Sequence, residues 1–236
     1  MSWPSDKRGQ LRARRIAFCC TVAAKTSASQ TTTVRESLGS HAVEAFESFV
    51  AVALEAEGLV VSSAVKFPVR LQTRRADRVE IQTHGYEVDL VGARANRLVL
   101  ATVKSYLGSH GVMAEQVTGE TTSELARRFS LLNRPEVRGK VVKAAAKLYG
   151  YRTAQVELRL YVGKFYGSGA HEEKIRKWAK RQRVGAGSVG VFGLSDVVGQ
   201  VRAAASHKQY RDNPVLVTMK VLDAAGMLVD VMPDRS

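Results

Sequence analysis

The chain has 236 residues, long enough to bury a sizeable core in a single domain. With 45% hydrophobic and 25% charged residues its composition is that of an ordinary globular protein. No apolar run approaches the roughly 18 residues a spanning helix needs, which excludes a helical membrane protein and any membrane partner. The formal net charge is +14. Residues 1–35 hold seven Lys/Arg and one Asp, or +6, which leaves +8 for the remainder. A body that basic attracts polyanions, with affinity falling as salt rises.

The first 36 residues read as a basic leader, disordered over 1–32, where no core pattern is present. Cys19 and Cys20, the only cysteines, are adjacent and match neither a metal-site spacing nor a disulfide framework, so a cytoplasmic protein is expected. Arg12, Arg14 and Arg15 ahead of Ile16–Ala24 imitate a secretory signal. That stretch is short and broken by Thr21, and no cysteine-stapled domain follows it.

A single α/β domain is expected over 37–236. Its first helix spans Ser40–Glu57, with Ser40 as N-cap, Gly58 as stop, and Val43, Phe46, Phe49, Val50, Ala53 and Leu54 as the apolar stripe. Glu47 lies at the edge of that stripe, where an unpaired carboxylate would be costly. Leu59–Val65 reads as a strand. The stretch from Lys66 to Thr83 is basic, irregular and interrupted by Pro68, and reads as an extended hairpin or loop insertion. Strands follow at Tyr86–Gly92 and Arg97–Lys104, joined by the polar turn Ala93–Asn96.

A helical insertion occupies about 112–148, broken at Asn133, Pro135 and Gly139. Val156, Leu158, Leu160 and Val162 alternate with polar neighbours, the period-two mark of a strand. A basic helix (Glu172–Arg183), a strand (Val189–Leu194), a helix opened by Ser195 or Asp196, and a last helix from near Pro214 complete the chain. This alternation predicts a mixed central sheet with helices on both faces.

Asp89 sits in the strand "YEVDLVG", and Thr102 and Lys104 stand two apart in "LVLATVK", so the latter two share a face. Period two gives Glu87 the face of Asp89. A carboxylate converging with a lysine from consecutive strands is what metal-assisted phosphodiester hydrolysis requires. The same residues read without function are two ordinary hairpin strands with Asp89 and Lys104 as solvated or mutually paired charges.

Here the chain resembles the PD-(D/E)XK nuclease superfamily, closest to Mrr-like restriction and Holliday-junction-resolvase-like members. Phe46-Glu47-Ser48-Phe49-Val50, then Leu54 and Gly58, matches the family's first helix; Asp89 matches its metal-binding acid and Lys104 its lysine. The resemblance covers roughly residues 38–107 and implies a restriction-endonuclease-like core. It also implies Mg²⁺ or Mn²⁺ held by Asp89 with Glu47 or Glu87, Lys104 acting on the attacking water, and DNA as substrate. One residue departs: Thr102 stands where the family carries an acid, which removes a negative charge from the metal site.

Two basic segments are candidates for phosphate contact: Arg70, Arg74, Arg75 and Arg78 in the hairpin, and Lys174, Lys177, Lys180 and Arg181 around Trp178. Gly185-Ala-Gly187-Ser-Val-Gly190 copies a dinucleotide-binding string, but a helix precedes it and a strand follows, the reverse of what that site needs. None of the five histidines forms a ligand pair at helical spacing. A metal-dependent endonuclease acting on DNA is the reading the resemblance implies, with a homodimer left open. A catalytically degenerate DNA-binding or complex-forming module on the same fold is one alternative, and a basic scaffold for an acidic partner is another.

Overall fold

The computed structural model describes residues 33–75, 78–207 and 211–228; the leader through residue 32 lies outside them. Helix α1 (Thr33–Ala56) starts earlier than its sequence signals suggested and takes in residues 33–36. Its buried stripe is Phe46, Val50, Ala53 and Leu54, as the helical spacing predicts. It stops at Gly58, whose positive φ of 78° an L side chain adopts only with strain and whose N–H donates to the Glu55 carbonyl at 2.9 Å.

The basic segment after it is regular. Strands β1 (Val60–Arg75) and β2 (Arg78–Arg94) pair antiparallel from Val60↔Ala93 out to Arg75↔Arg78 as one long ribbon. Pro68 is accommodated because β1 is an edge strand. The two-residue turn Ala95-Asn96 leads into β3 (Arg97–Lys104). The predicted helical insertion is four pieces: α2 (Ala114–Thr118), α3 (Glu124–Arg127), α4 (Ser130–Asn133) and α5 (Pro135–Tyr149). Then come β4 (Val156–Val162), α6 (Ala170–Arg181), a small hairpin of β5 (Arg183–Val184) and β6 (Gly187–Ser188), β7 (Gly190–Gly193), α7 (Leu194–Ala205) and α8 (Pro214–Ala224). The Gly185–Gly190 string therefore spans that hairpin and the start of β7.

The five-stranded sheet runs β1-β2-β3-β4-β7, antiparallel through β3 and parallel from β3 to β7. It is a mixed α/β sheet covered by helices on both faces. Period two on β3 separates the two cores. Leu98 and Leu100 face α2, α5 and α6, while Val99, Ala101 and Val103 face α1, α7 and α8. β4 does the same with Leu158, Leu160 and Val162 against Tyr161.

At the end of the sheet away from Lys104, Glu57 and Glu157 clasp two arginines. Arg159 reaches Glu57 at 2.7 Å and Glu157 at 3.0 Å, and Arg97 reaches Glu157 at 2.6 Å. The Arg159 guanidinium also lies over the Phe192 ring, 5.1 Å from its centroid, and Phe192 stacks on Tyr161. Burial and the neighbouring Glu57 push the Glu157 carboxyl above the ordinary carboxylate range despite its arginine partners. Among the described residues, no helix is long and apolar enough to cross a membrane.

Candidate functional site

The ribbon changes face at one step. On its outer half Phe67, Val69, Leu71 and Val88 pack into the α5 side of the sheet. On its inner half Val61 and Leu90 pack on the α1 side, and Val91 returns to the α5 side. The alternation breaks at Ala64 and Asp89. Their neighbours pair as Ser63↔Leu90 and Val65↔Val88, and Ala64 has a positive φ of 52°. A non-glycine residue in that region is strained and needs its surroundings to hold it there.

The break re-aims Asp89. Strand β2 leaves β3 after the pair Leu90↔Ala101, so the sheet forks there, and Asp89 stands in the fork. Its Oδ2 accepts from the Val103 N–H at 2.6 Å, from the Thr102 Oγ1 hydroxyl at 3.1 Å and from Lys104 Nζ at 3.4 Å. The carboxylate thus takes over an N–H that a continuing strand β2 would have bound. Lys104 and Asp89 are each about one-fifth exposed, so the pair opens to solvent while Thr102 is buried. A charge-assisted pair at this depth is stronger than a surface bridge.

The end of β3 is fixed from the other side. Lys104 pairs with Val162, and the Gly163 N–H donates to the Lys104 carbonyl at 2.9 Å. A Cβ at Gly163 would collide with the Ser105 carbonyl oxygen, so only glycine permits this approach. Two residues past Lys104 the chain turns through Tyr106, again at positive φ (46°), with its ring against Phe129.

Asp89, Thr102 and Lys104 therefore meet, as the strand spacing predicted. Glu87 does not share the face of Asp89: the break at Val88-Asp89 turns it to the outer face of the ribbon, where it pairs with Lys66 at 3.4 Å. Glu47 is half-buried on α1, on the opposite side of the sheet from the face that carries Thr102 and Lys104. Among the described residues no three His, Cys, Asp or Glu side chains converge as a metal-binding group. The donor set at the fork is one carboxylate whose Oδ2 already serves three donors, with a hydroxyl in place of a second acid. It does not fit a resident divalent cation, which wants several free oxygen ligands.

The two basic segments fare differently. Arg70 is exposed on the outer face of the ribbon, and its carbonyl accepts from Lys140 Nζ at 2.7 Å. The backbone of Arg74, Arg75 and Arg78 forms the ribbon's tip, and their side chains lie outside the described residues. On α6 much of the charge is spent internally. Lys174 bridges Glu115 at 3.1 Å and Glu120 at 2.7 Å, and Lys177 pairs with Glu173 at 2.6 Å. Lys180 and Arg181 stand exposed at the helix end, where they also complement its dipole, and Trp178 is buried below.

The Val103 amide is the site group that residue types could not reveal, because a backbone donor leaves no signature in a sequence. Compared with family models, curated proteins and solved structures, the chain matches none.

Proposed function

We propose that this chain is a nucleic-acid-binding protein on a nuclease-type core, whose cleft holds and positions a phosphate backbone without hydrolysing it. The carrying observation is the fork. A lysine and an aspartate from neighbouring strands meet at a solvent-open break in the sheet, and the position that would complete a metal site is a buried threonine. The order helix, three antiparallel strands, helix, parallel strand supports the resemblance to PD-(D/E)XK nucleases on which this reading leans.

In this reading Asp89 is a structural acid that closes the fork through Val103, and Lys104 is a fixed cation at its mouth. Arg70 and Lys66 on the ribbon, with Lys180 and Arg181 on α6, would supply further backbone contacts. Metal-dependent DNA cleavage is the second reading, favoured by the placement of Lys104 beside a carboxylate but opposed by the donor set.

The test is direct. Purified full-length chain is titrated with duplex DNA across a salt series and incubated with varied DNA substrates plus Mg²⁺ or Mn²⁺. Binding that weakens steeply with salt, and no cleavage by wild type, supports the proposal. Metal-dependent cleavage that Lys104→Ala abolishes would overturn it in favour of an endonuclease, and salt-insensitive or absent DNA binding would favour a scaffold for an acidic protein.

A further inference from the structure

Beside the fork, on the same face of the sheet, lies a cavity of about 420 Å³ that the fold does not explain. Tyr86 of β2 lines one side of it, and the other walls come from the loop after α2 and from the short helices α3 and α4. Its lining is polar and cationic: Thr121, Ser123 and Ser130 contribute hydroxyls, and Arg127 and Arg134 contribute guanidiniums. Among the described residues its lining contains no carboxylate.

The walls are built and not merely adjacent. Asn133 donates through Nδ2 to the Gln116 carbonyl at 2.9 Å and to the Ala126 carbonyl at 2.8 Å, tying α2, α3 and α4 together. Arg127 and Arg134 are both exposed and engage in no ion pair among the described residues, in contrast to the acid-paired lysines of α6.

We propose that this cavity is a nucleotide pocket, in which Tyr86 offers its ring to a base while Arg127 and Arg134 bind the attached phosphate. The volume lies in the range of small-molecule pockets. One aromatic face plus two guanidiniums suits a nucleoside monophosphate, since stacking accepts any base and planar guanidiniums bind phosphate bidentately. Tyr86 precedes Asp89 by three residues on β2, or roughly 10 Å along the strand. Both open to the α5 side of the sheet, so one nucleic-acid strand can touch the fork and fill the pocket. The ligand is then a free mononucleotide or an unstacked nucleotide within a strand. The inference rests on the nucleic-acid reading only for the second of these.

The experiment titrates full-length chain with dTMP, thymidine, inorganic phosphate, a dT oligomer and a duplex of equal length. Tyr86→Leu, Tyr86→Phe and the double variant Arg127→Ala/Arg134→Ala are then compared with wild type. Expected are saturable dTMP binding tighter than that of thymidine or phosphate alone, and single-strand binding weakened roughly tenfold or more by Tyr86→Leu. Tyr86→Phe should retain binding, and the arginine variant should lose dTMP. Equal affinity for phosphate and dTMP, with Tyr86→Leu unchanged, would overturn the proposal and leave an anion site only. A wild type that binds duplex but shows no saturable dTMP binding overturns the pocket and spares the proposed function. A wild type that binds dTMP but neither DNA form overturns the proposed function, and the pocket stands for a free nucleotide.

Discussion

Asp89 has two employments, and they can be separated by substitution. Asp89→Ala leaves the buried Val103 N–H and the Thr102 hydroxyl without their acceptor and Lys104 without its counter-charge. A loss on the order of 1–3 kcal/mol in unfolding free energy is expected. Asp89→Asn keeps an acceptor for Val103 and should cost clearly less, which parallel urea melts of the two variants would show. Thr102→Glu adds a second carboxylate at a position only 6% exposed, beside Asp89 and Lys104. It should lower the melting temperature without metal, through like-charge crowding, and recover part of that loss in millimolar Mg²⁺. A variant equally stable with and without metal would show that the fork cannot gather a cation even when the acid is restored.

This is also where the sequence was most and least informative. Period two on β3 placed Thr102 and Lys104 together because that strand stays regular throughout its pairing with β4. The same rule misplaced Glu87, because the ribbon breaks its alternation at the next two residues and no residue type there announces the break. Alanine at positive φ is a poor signal, since the strain is imposed by tertiary pairing. The α6 cations were legible as charges, but the partners of Lys174, Glu115 and Glu120, lie more than fifty residues away and could not be read.

Among the elements, α2 and α6 are tied by those same charges. Glu115 lies in the first turn of α2, and its carboxyl is held below the ordinary carboxylate range by its own backbone N–H and by Lys174. A depressed acid contributes stability above its unfolded pKa and loses it as pH falls through the folded one. The melting-temperature gap between wild type and Glu115→Gln should therefore be constant at neutral pH and shrink below the ordinary carboxylate range. A gap that stays constant into acid would show that the bridge contributes nothing.

Helix α5 carries a costlier group. Arg138 is buried and bonds only neutral partners among the described residues: the Leu132 carbonyl, Gln182 Oε1 at 2.9 Å and the Trp178 ring, 5.9 Å from its guanidinium carbon. Burial depresses its pKa. A buried cation without a counter-ion contributes little net stability, so Arg138→Met, which also leaves the Leu132 carbonyl unpaired but keeps the volume, should cost less than Arg138→Ala in a thermal melt. Arg138→Ala should cost a few kcal/mol, because it leaves the Leu132 carbonyl unpaired and a hole beside Trp178.

For the whole molecule, charge decides how any DNA complex would respond to its medium. The +8 of residues 36–236 is what remains of 29 Lys/Arg against 21 Asp/Glu, and on α6 several of the two kinds are paired directly. The salt slope should therefore report far fewer phosphate contacts than the basic count suggests, roughly one for each exposed cation the duplex reaches. Removing Arg70 should flatten that slope by about one, and removing Lys66, which is bridged to Glu87, by less, as log affinity against log salt would measure.

The sheet's one change from antiparallel to parallel pairing has a consequence during synthesis. Strands β1, β2 and β3 follow one another with only two residues between each pair and can pair as soon as they leave the ribosome, but β4 follows only after residues 105–155. Until it arrives, the edge of β3 and its Leu98, Leu100 and Thr102 side chains have no cover from β4, and parallel partners found across such a gap form slowly. The growing chain therefore passes through a stage with an open, apolar strand edge. The Asp89 carboxylate caps only the Val103 amide on the β2 side of β3, so the edge that awaits β4 stays open to a second nascent chain until β4 pairs.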